Sequence, residues 1–273
     1  MAQLLFNPSS FTASGAKPMP VILVLDNSGS MSGEKIDTLN VSVRDMLQTF
    51  KSAECQDVAF NIAIVTFGTG IHLLQEMNSA AMIQWHDIPI SSIDEARQFS
   101  GKWDDPNARG TPLGATFKII KSLIEDKTVV PSRAYRPAVV LVSDGHPTDG
   151  WQGPMTSFIK DGRSSKCDRW AMAIGRDADA GVLGKFIEGT TNDDGTQRKL
   201  FYARDARTLR DNFKFITMSI TNTVAVASKS KVLTPQPVTV KATEIAERTD
   251  NPVLMREHDR PNEKEETDSG FEW

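Results

Sequence analysis

The chain has almost no cysteine: Cys55 and Cys167 are the two in 273 residues. They lie far apart and without a CxxC partner, which excludes a disulfide framework and leaves two reduced thiols in or near the core. Long apolar runs are also missing. No stretch approaches the ~18 apolar residues of a membrane span, so none is expected. There is no basic excess either. Lys and Arg number 31 against 35 Asp and Glu, a formal charge of -4, which argues against nucleic acid or an anionic membrane surface as partner. The opening residues, MAQLLFNPSSFTASGAKPMP, carry no basic start before the short Leu4-Leu5-Phe6 run. No signal peptide is expected, and a cytoplasmic protein follows. We find no internal repeat.

What is present is strand–helix alternation. Val21–Leu25 is a continuous apolar run, and Ile36, Leu39, Val43, Met46, Leu47 and Phe50 then recur on one helix face. Val58–Phe67 is β-rich, and Gly68-Thr69-Gly70 turns it into a short edge strand near Ile71–Leu74. Thr111, Leu113, Phe117, Ile120 and Ile124 mark a second helix. Val139–Ser143 and Trp170–Ile174 read as further parallel strands, with a helix near Met155–Ser165 between them and another near Asp179–Glu188. Leu200–Ala203 is a short last strand, and Leu209, Phe213, Ile216, Ile220 and Val224 form a final helix face. Near-uniform apolar strands mean a parallel sheet buried on both sides. The expected fold is therefore α/β: doubly wound and mostly parallel, with one antiparallel edge strand and helices on both faces. We divide the chain into an N-terminal extension (1–17), this domain (18–226) and an extended or disordered acidic tail (227–273). Residues 257–273 hold seven acidic side chains and two basic ones.

Doubly wound sheets bind ligands beyond the carboxyl ends of their strands. Asp26 and Asp144 stand at two such ends. After Asp26, the stretch VLDNSGSMSG sets Ser28, Ser30 and Ser32 at alternate positions. A phosphate loop is excluded, because Gly29 and Gly33 are one residue too close and Ile36, not Ser or Thr, follows Lys35. A nucleophile elbow is excluded by Met31 at its centre. An aspartyl-phosphate phosphatase needs an acid two residues after its nucleophile, and that place holds Ser28. SDGHPTD, Ser143–Asp149, imitates that family's later acidic motif and keeps the alternative open. Singly, either serine would serve as a helix N-cap and Asp144 would serve a turn. Together they suit a hard cation, since hydroxyls and carboxylates are the oxygen donors that Mg²⁺ prefers.

D-x-S-x-S after an apolar strand resembles the metal ion-dependent adhesion site of von Willebrand factor type A domains. RGTPLGATF supplies the family's threonine as Thr111, and VLVSDGHPTD its second aspartate as Asp144. The resemblance implies a Mg²⁺ or Mn²⁺ site in which Ser28 and Ser30 ligate directly, and Thr111 directly or through water. Asp26 and Asp144 would act through water and hydrogen bonds, their mutual repulsion relieved only by the ion. It also implies an open ligand position for the Asp or Glu of a protein partner, and recognition in place of catalysis. VLVLDNSGSM and VVLVSDGHPTDGW look most similar to bacterial cytosolic proteins of this family associated with tellurium resistance. That similarity implies a stress-response or phospho-signalling adaptor beside a Ser/Thr kinase and a PP2C-type phosphatase. The alternatives are the Asp-nucleophile phosphatase and a subunit of an AAA⁺ ATPase or chelatase.

Other residues are weaker candidates. His146 is a rim contact or a surface histidine. Trp85, His86 and Trp103 frame the metal loops or pack over the sheet end, and Asp104, Asp105 and Arg109 tune charge before Thr111. TNDDGT, Thr191–Thr196, reads as a turn. In the tail, Phe271 and Trp273 among the acidic residues, with Thr267 and Ser269 as phosphorylation sites, suggest a docking segment.

Overall fold

The computed structural model describes residues 15–229, apart from 56, 92–109, 177 and 193. Its strands are β1 (Lys17–Asp26), β2 (Val58–Gly68), β3 (Gly70–Ser79), β4 (Ala138–Ser143), β5 (Asp168–Ile174) and β6 (Phe201–Ala203). Its α-helices are α1 (Glu34–Ala53), α2 (Leu113–Glu125), α3 (Gln152–Lys160), α4 (Ala180–Ile187) and α5 (Ala206–Lys229). The strands form one six-stranded sheet in the order β3-β2-β1-β4-β5-β6. Only β3 runs antiparallel to its neighbour.

The apolar runs are continuous because both faces are covered. Val21, Leu23 and Leu25 face a layer that includes Leu39, Val43 and Phe50 of α1 and Leu209, Phe213, Ile216 and Ile220 of α5. Ile22 and Val24 face the opposite layer, where Phe117 of α2, Phe158 of α3 and Phe186 of α4 meet. The ring centroids of those three phenylalanines lie 5.5 to 5.8 Å apart. Each such buried side chain stabilises the fold by about 1.5–3 kcal/mol.

β1 starts earlier than the apolar run suggests, with Pro18 and Pro20 inside it. Pairing with β4 begins only at Val21↔Ala138, and Tyr135 N–H donates to the Pro18 carbonyl from that side. The amide hydrogens these prolines lack would therefore have met no strand. β3 is longer than expected, reaching Ser79 through two register shifts against β2. Its apolar signal ends at Leu74 because an edge strand keeps its backbone pairing after its side chains turn polar. α3 is displaced towards the N-terminus of the expected span, and a separate 3₁₀ turn at Ser164–Lys166 follows it. The chain leaves the helix at Asp161 in an extended conformation.

From β1 the chain builds outward to β2 and β3, then returns to place β4 on the other side of β1. The order reverses between β1 and β4, so the ends of these two strands flank the switch point.

Candidate metal centre

β1 ends on Asp26 and β4 on Ser143, as adjacent strands running in the same direction. The Asp26 side chain is fully buried. Its Oδ1 accepts the Ser28 backbone N–H at 2.9 Å, and its Oδ2 accepts the Ser143 hydroxyl at 2.7 Å. The first bond folds the loop back over the strand end. Buried Met31 anchors the following 3₁₀ turn, Gly29–Met31. Gly33, at φ 79° and ψ -138°, then re-aims the chain into α1, a conformation that a side chain would strain.

Neither serine is spent on capping. The Ser28 side chain makes no cap bond, and the N-cap position of α1 is Gly33. The hydroxyls meet each other instead, with Ser28 Oγ and Ser30 Oγ 3.0 Å apart. Ser30 Oγ donates to Asp144 Oδ1 at 2.8 Å. Asp144 thus makes a long-range contact across the switch point in place of a local turn.

Thr111 arrives from a third loop. A side chain carbon on Gly145 would lie 3.2 Å from Thr111 Oγ1, so this hydroxyl closely abuts the residue after Asp144. The loop is pinned from the β4 side: Thr111 N–H donates to Thr148 Oγ1 and Thr148 N–H to the Thr111 carbonyl, both at 3.0 Å. Asp149 accepts the Gly114 and Ala115 amides at 2.8 Å each, capping α2 from a neighbouring loop. Gly110 has φ 76°, and a Cβ there would come within 2.7 Å of Thr148. All five expected positions, Asp26, Ser28, Ser30, Thr111 and Asp144, thereby come to one end of the sheet. Ser30 is exposed and the other four are buried.

The two carboxylates are balanced differently. Burial pushes Asp26 up to about 6; the bonds from Ser28 and Ser143 oppose the rise, and the nearby Asp144 charge adds to it. Among the described residues no cationic side chain pairs with Asp26. Asp144 is answered by Lys35, whose Nζ lies 2.8 Å from Oδ2 and also donates to the Ser30 carbonyl at 3.2 Å. The expectation that only an ion relieves these charges is therefore corrected for Asp144.

These residues fit a hard divalent cation. Three neutral hydroxyls and two carboxylates offer oxygen alone, the donor type of Mg²⁺ and Mn²⁺. An ammonium already drawn to Asp144 shows that this end of the sheet attracts positive charge. Among the described residues no cluster of three or more His, Cys, Asp or Glu exists that could hold a metal by those types alone. Any ion here depends on the hydroxyls.

The weaker candidates separate cleanly. His146 is 72% exposed, and its Nδ1 lies 3.0 Å from Asp179 Oδ2. Trp85 packs against the α1 layer and donates to Asp87 at 2.8 Å, and His86 is exposed. Within Thr191–Thr196, Asn192 N–H donates to the Thr196 carbonyl and Gly195 N–H to the Asn192 carbonyl, while Asp193 lies outside the described residues. Cys55 is exposed, away from the core expected for it, because β2 begins only after it. Cys167 is buried, and burial pushes its thiol up to about 12. Trp103, Asp104, Asp105, Arg109 and the tail residues Thr267, Ser269, Phe271 and Trp273 lie outside the described residues. A cleft of about 560 Å³ opens at the opposite end of the sheet, beside the starts of β4 and β5. Two of its cations, Arg163 and Arg169, are spent on main-chain carbonyls.

The supporting roles of Lys35, Ser143, Thr148 and Asp149 were missed from sequence, where Ser143, Thr148 and Asp149 read only as part of a phosphatase-like acidic motif. A hydroxyl just before Asp144, and a second Thr-Asp pair four residues after it, were the available signals. Lys35 gave none, since a lysine in a first helical turn looks like any solvated charge.

Residues 21–146 match the sequence model of the von Willebrand factor type A domain. A search of curated proteins finds no match. Among solved structures, a von Willebrand factor type A protein from Catenulispora acidiphila is 16% identical with a TM-score of 0.50, covering 76% of this chain and 43% of that one. The pilus adhesin SpaC from Lactobacillus rhamnosus GG is 13% identical with a TM-score of 0.53, covering 76% and 31%. Proximal thread matrix protein 1 from the mussel byssus, solved with a zinc-occupied MIDAS motif, is 14% identical with a TM-score of 0.47, covering 76% and 49%. At these identities the first two establish a shared fold. The chain spans less than half the length of each of these structures. No helix among the described residues is long and apolar enough to cross a membrane.

Proposed function

From a von Willebrand factor type A fold with an oxygen-donor cluster at its switch point, we propose that this chain is a non-catalytic, Mg²⁺-dependent protein-binding module. The observation that carries the reading is the convergence of Ser28, Ser30 and Thr111 with only two carboxylates, both held by other groups. The three hydroxyls would hold the ion, while Asp26 and Asp144 would orient its water shell. A divalent ion held by so few charges keeps an electrophilic position for the carboxylate of a partner's Asp or Glu. Ser30, the exposed member, marks the side from which a partner approaches. Asp26, Ser28 and Thr111 are locked from behind by Ser143, Met31, Thr148 and Asp149, so the donors are in place before a partner arrives.

Two features favour recognition over phosphoryl transfer. The residue two places after Asp26 is a serine whose hydroxyl meets Ser30. Asp149, the acid of the later motif, is consumed in capping α2. The resemblance to tellurium-resistance proteins makes a bacterial cytosolic stress or phospho-signalling system the first setting to test, with a Ser/Thr kinase and a PP2C-type phosphatase as partners. An AAA⁺ ATPase ring is the alternative partner.

The test is titration of the full chain with Mg²⁺ and Mn²⁺, beside capture of these candidate partners with and without EDTA. Modest affinity is expected, lost with Ser28→Ala plus Ser30→Ala, and capture should need the metal. A flat titration, or binding that survives the double substitution, would sink the reading. Hydrolysis of a generic phosphate ester that Asp26→Asn abolishes would replace it with the phosphatase.

A further inference from the structure

Lys35 is the second residue of α1, where the positive end of the helix makes a cation unfavourable. Helix stability therefore does not explain it. Its side chain is only 17% exposed, turned back over the preceding loop and against an Asp144 side chain that is wholly buried. The ammonium bonds Asp144 Oδ2 and the Ser30 carbonyl. Asp144 Oδ1 in turn accepts from Ser30 Oγ, which meets Ser28 Oγ, so the ammonium is linked to Ser30 Oγ through two hydrogen bonds and to Ser28 Oγ through three.

We propose that Lys35 is a tethered cation that holds the place of the divalent ion and must be displaced before the ion binds. This rests on the metal reading given above. Asp26 and Asp144 together carry two negative charges, and the ammonium leaves one. A divalent ion added with Lys35 still in place would put two cations beside the same buried carboxylate, which mutual repulsion disfavours. A lysine can yield where an arginine would not: its charge is compact, its four-carbon stem is flexible, and solvent is close by. The displaced ammonium would remain at the rim, on the side where a partner's carboxylate arrives. The internal cation therefore sets the affinity, keeping the site closed to trace metal while protecting Asp144 when no ion is bound.

The experiment titrates the full chain, stripped with EDTA and dialysed, with Mg²⁺ by calorimetry and Mn²⁺ by electron paramagnetic resonance. The chains compared are wild type, Lys35→Ala, Lys35→Gln and the Ser28→Ala plus Ser30→Ala variant, each also melted in EDTA and in saturating Mg²⁺. Removing the lysine should tighten both ions by about 10-fold, the size expected for one close charge. The same two Lys35 variants should melt lower than wild type in EDTA and level with it in Mg²⁺. Lys35→Gln keeps most of the stem, so it reports on charge even if Lys35→Ala packs poorly. Unchanged or weaker affinity in both variants, with binding still lost in the double serine variant, overturns the Lys35 proposal and leaves the metal site standing. No binding by wild type or by either Lys35 variant overturns both.

Discussion

Among the described residues no cation pairs with the buried Asp26 carboxylate, and the metal-free protein should be measurably destabilised by it. Its rise from 3.8 to about 6 corresponds to about 3 kcal/mol of destabilisation once the group is ionised. The sign follows from proton binding. The folded state holds the Asp26 proton more tightly than the unfolded chain, so stability falls as pH rises from about 4 to about 6 and stays low above that. Asp26→Asn removes the charge and keeps the shape. Its carbonyl still accepts the Ser28 amide, and its amide meets Ser143 if that hydroxyl turns to accept. Losing a charge-assisted bond costs about 1 kcal/mol, so a net gain of about 1–2 kcal/mol is expected near pH 7.5 in EDTA. For a domain of this size that is about 3–6 °C in melting temperature. Urea denaturation of both chains in EDTA, at pH 7.5 and pH 4.5, measures it. The advantage should shrink at the lower pH, where wild-type Asp26 is largely protonated. An Asp26→Asn protein less stable than wild type at pH 7.5, or a pH-independent difference, would refute the argument.

Asp149→Ala should leave two amides of the first turn of α2 unpaired and cost about 1–2 kcal/mol, read by urea denaturation. It should also weaken Mn²⁺ binding by freeing the Thr111 loop, although Asp149 itself is no ligand. Phe117→Ala, at the centre of the three-ring cluster, should cost about 3–5 kcal/mol and leave metal affinity unchanged in whatever fraction still folds.

The strands and helix faces were legible because each is written in one local period. Val21–Leu25 could be apolar throughout only if covered on both sides, and the six apolar positions from Ile36 to Phe50 are all buried along α1. The candidate loop after β1 was legible for the same reason: Asp26, Ser28 and Ser30 are neighbours in sequence. Thr111 and Asp144 were reachable only through their places beside a helix start and at a strand end, completed by family resemblance. What escaped was the support. Ser143 meets Asp26 across 117 residues, Lys35 meets Asp144 across 109, and Asp149 caps α2 across 34 and 35. No local pattern encodes such bonds, because each partner taken alone satisfies a blander role. Cys55 escaped differently, since a lone cysteine carries no signal of depth.

Asp26 and Asp144 lie at one strand-end site yet are held by opposite means, one by neutral donors and the other by an ammonium. That asymmetry couples folding to metal binding in a definite way. Asp26→Asn should stabilise the metal-free chain and weaken the ion, because it removes an unanswered charge. Lys35→Ala should destabilise the metal-free chain and tighten the ion, because it creates one. Saturating Mg²⁺ should narrow the gap between wild type and Lys35→Ala and erase the advantage of Asp26→Asn. A purely structural hydrogen-bond network would behave otherwise: both substitutions would destabilise the chain, and Mg²⁺ would shift neither. The crossing of these two variants between EDTA and Mg²⁺ therefore separates a site that awaits a cation from one that only ties loops together.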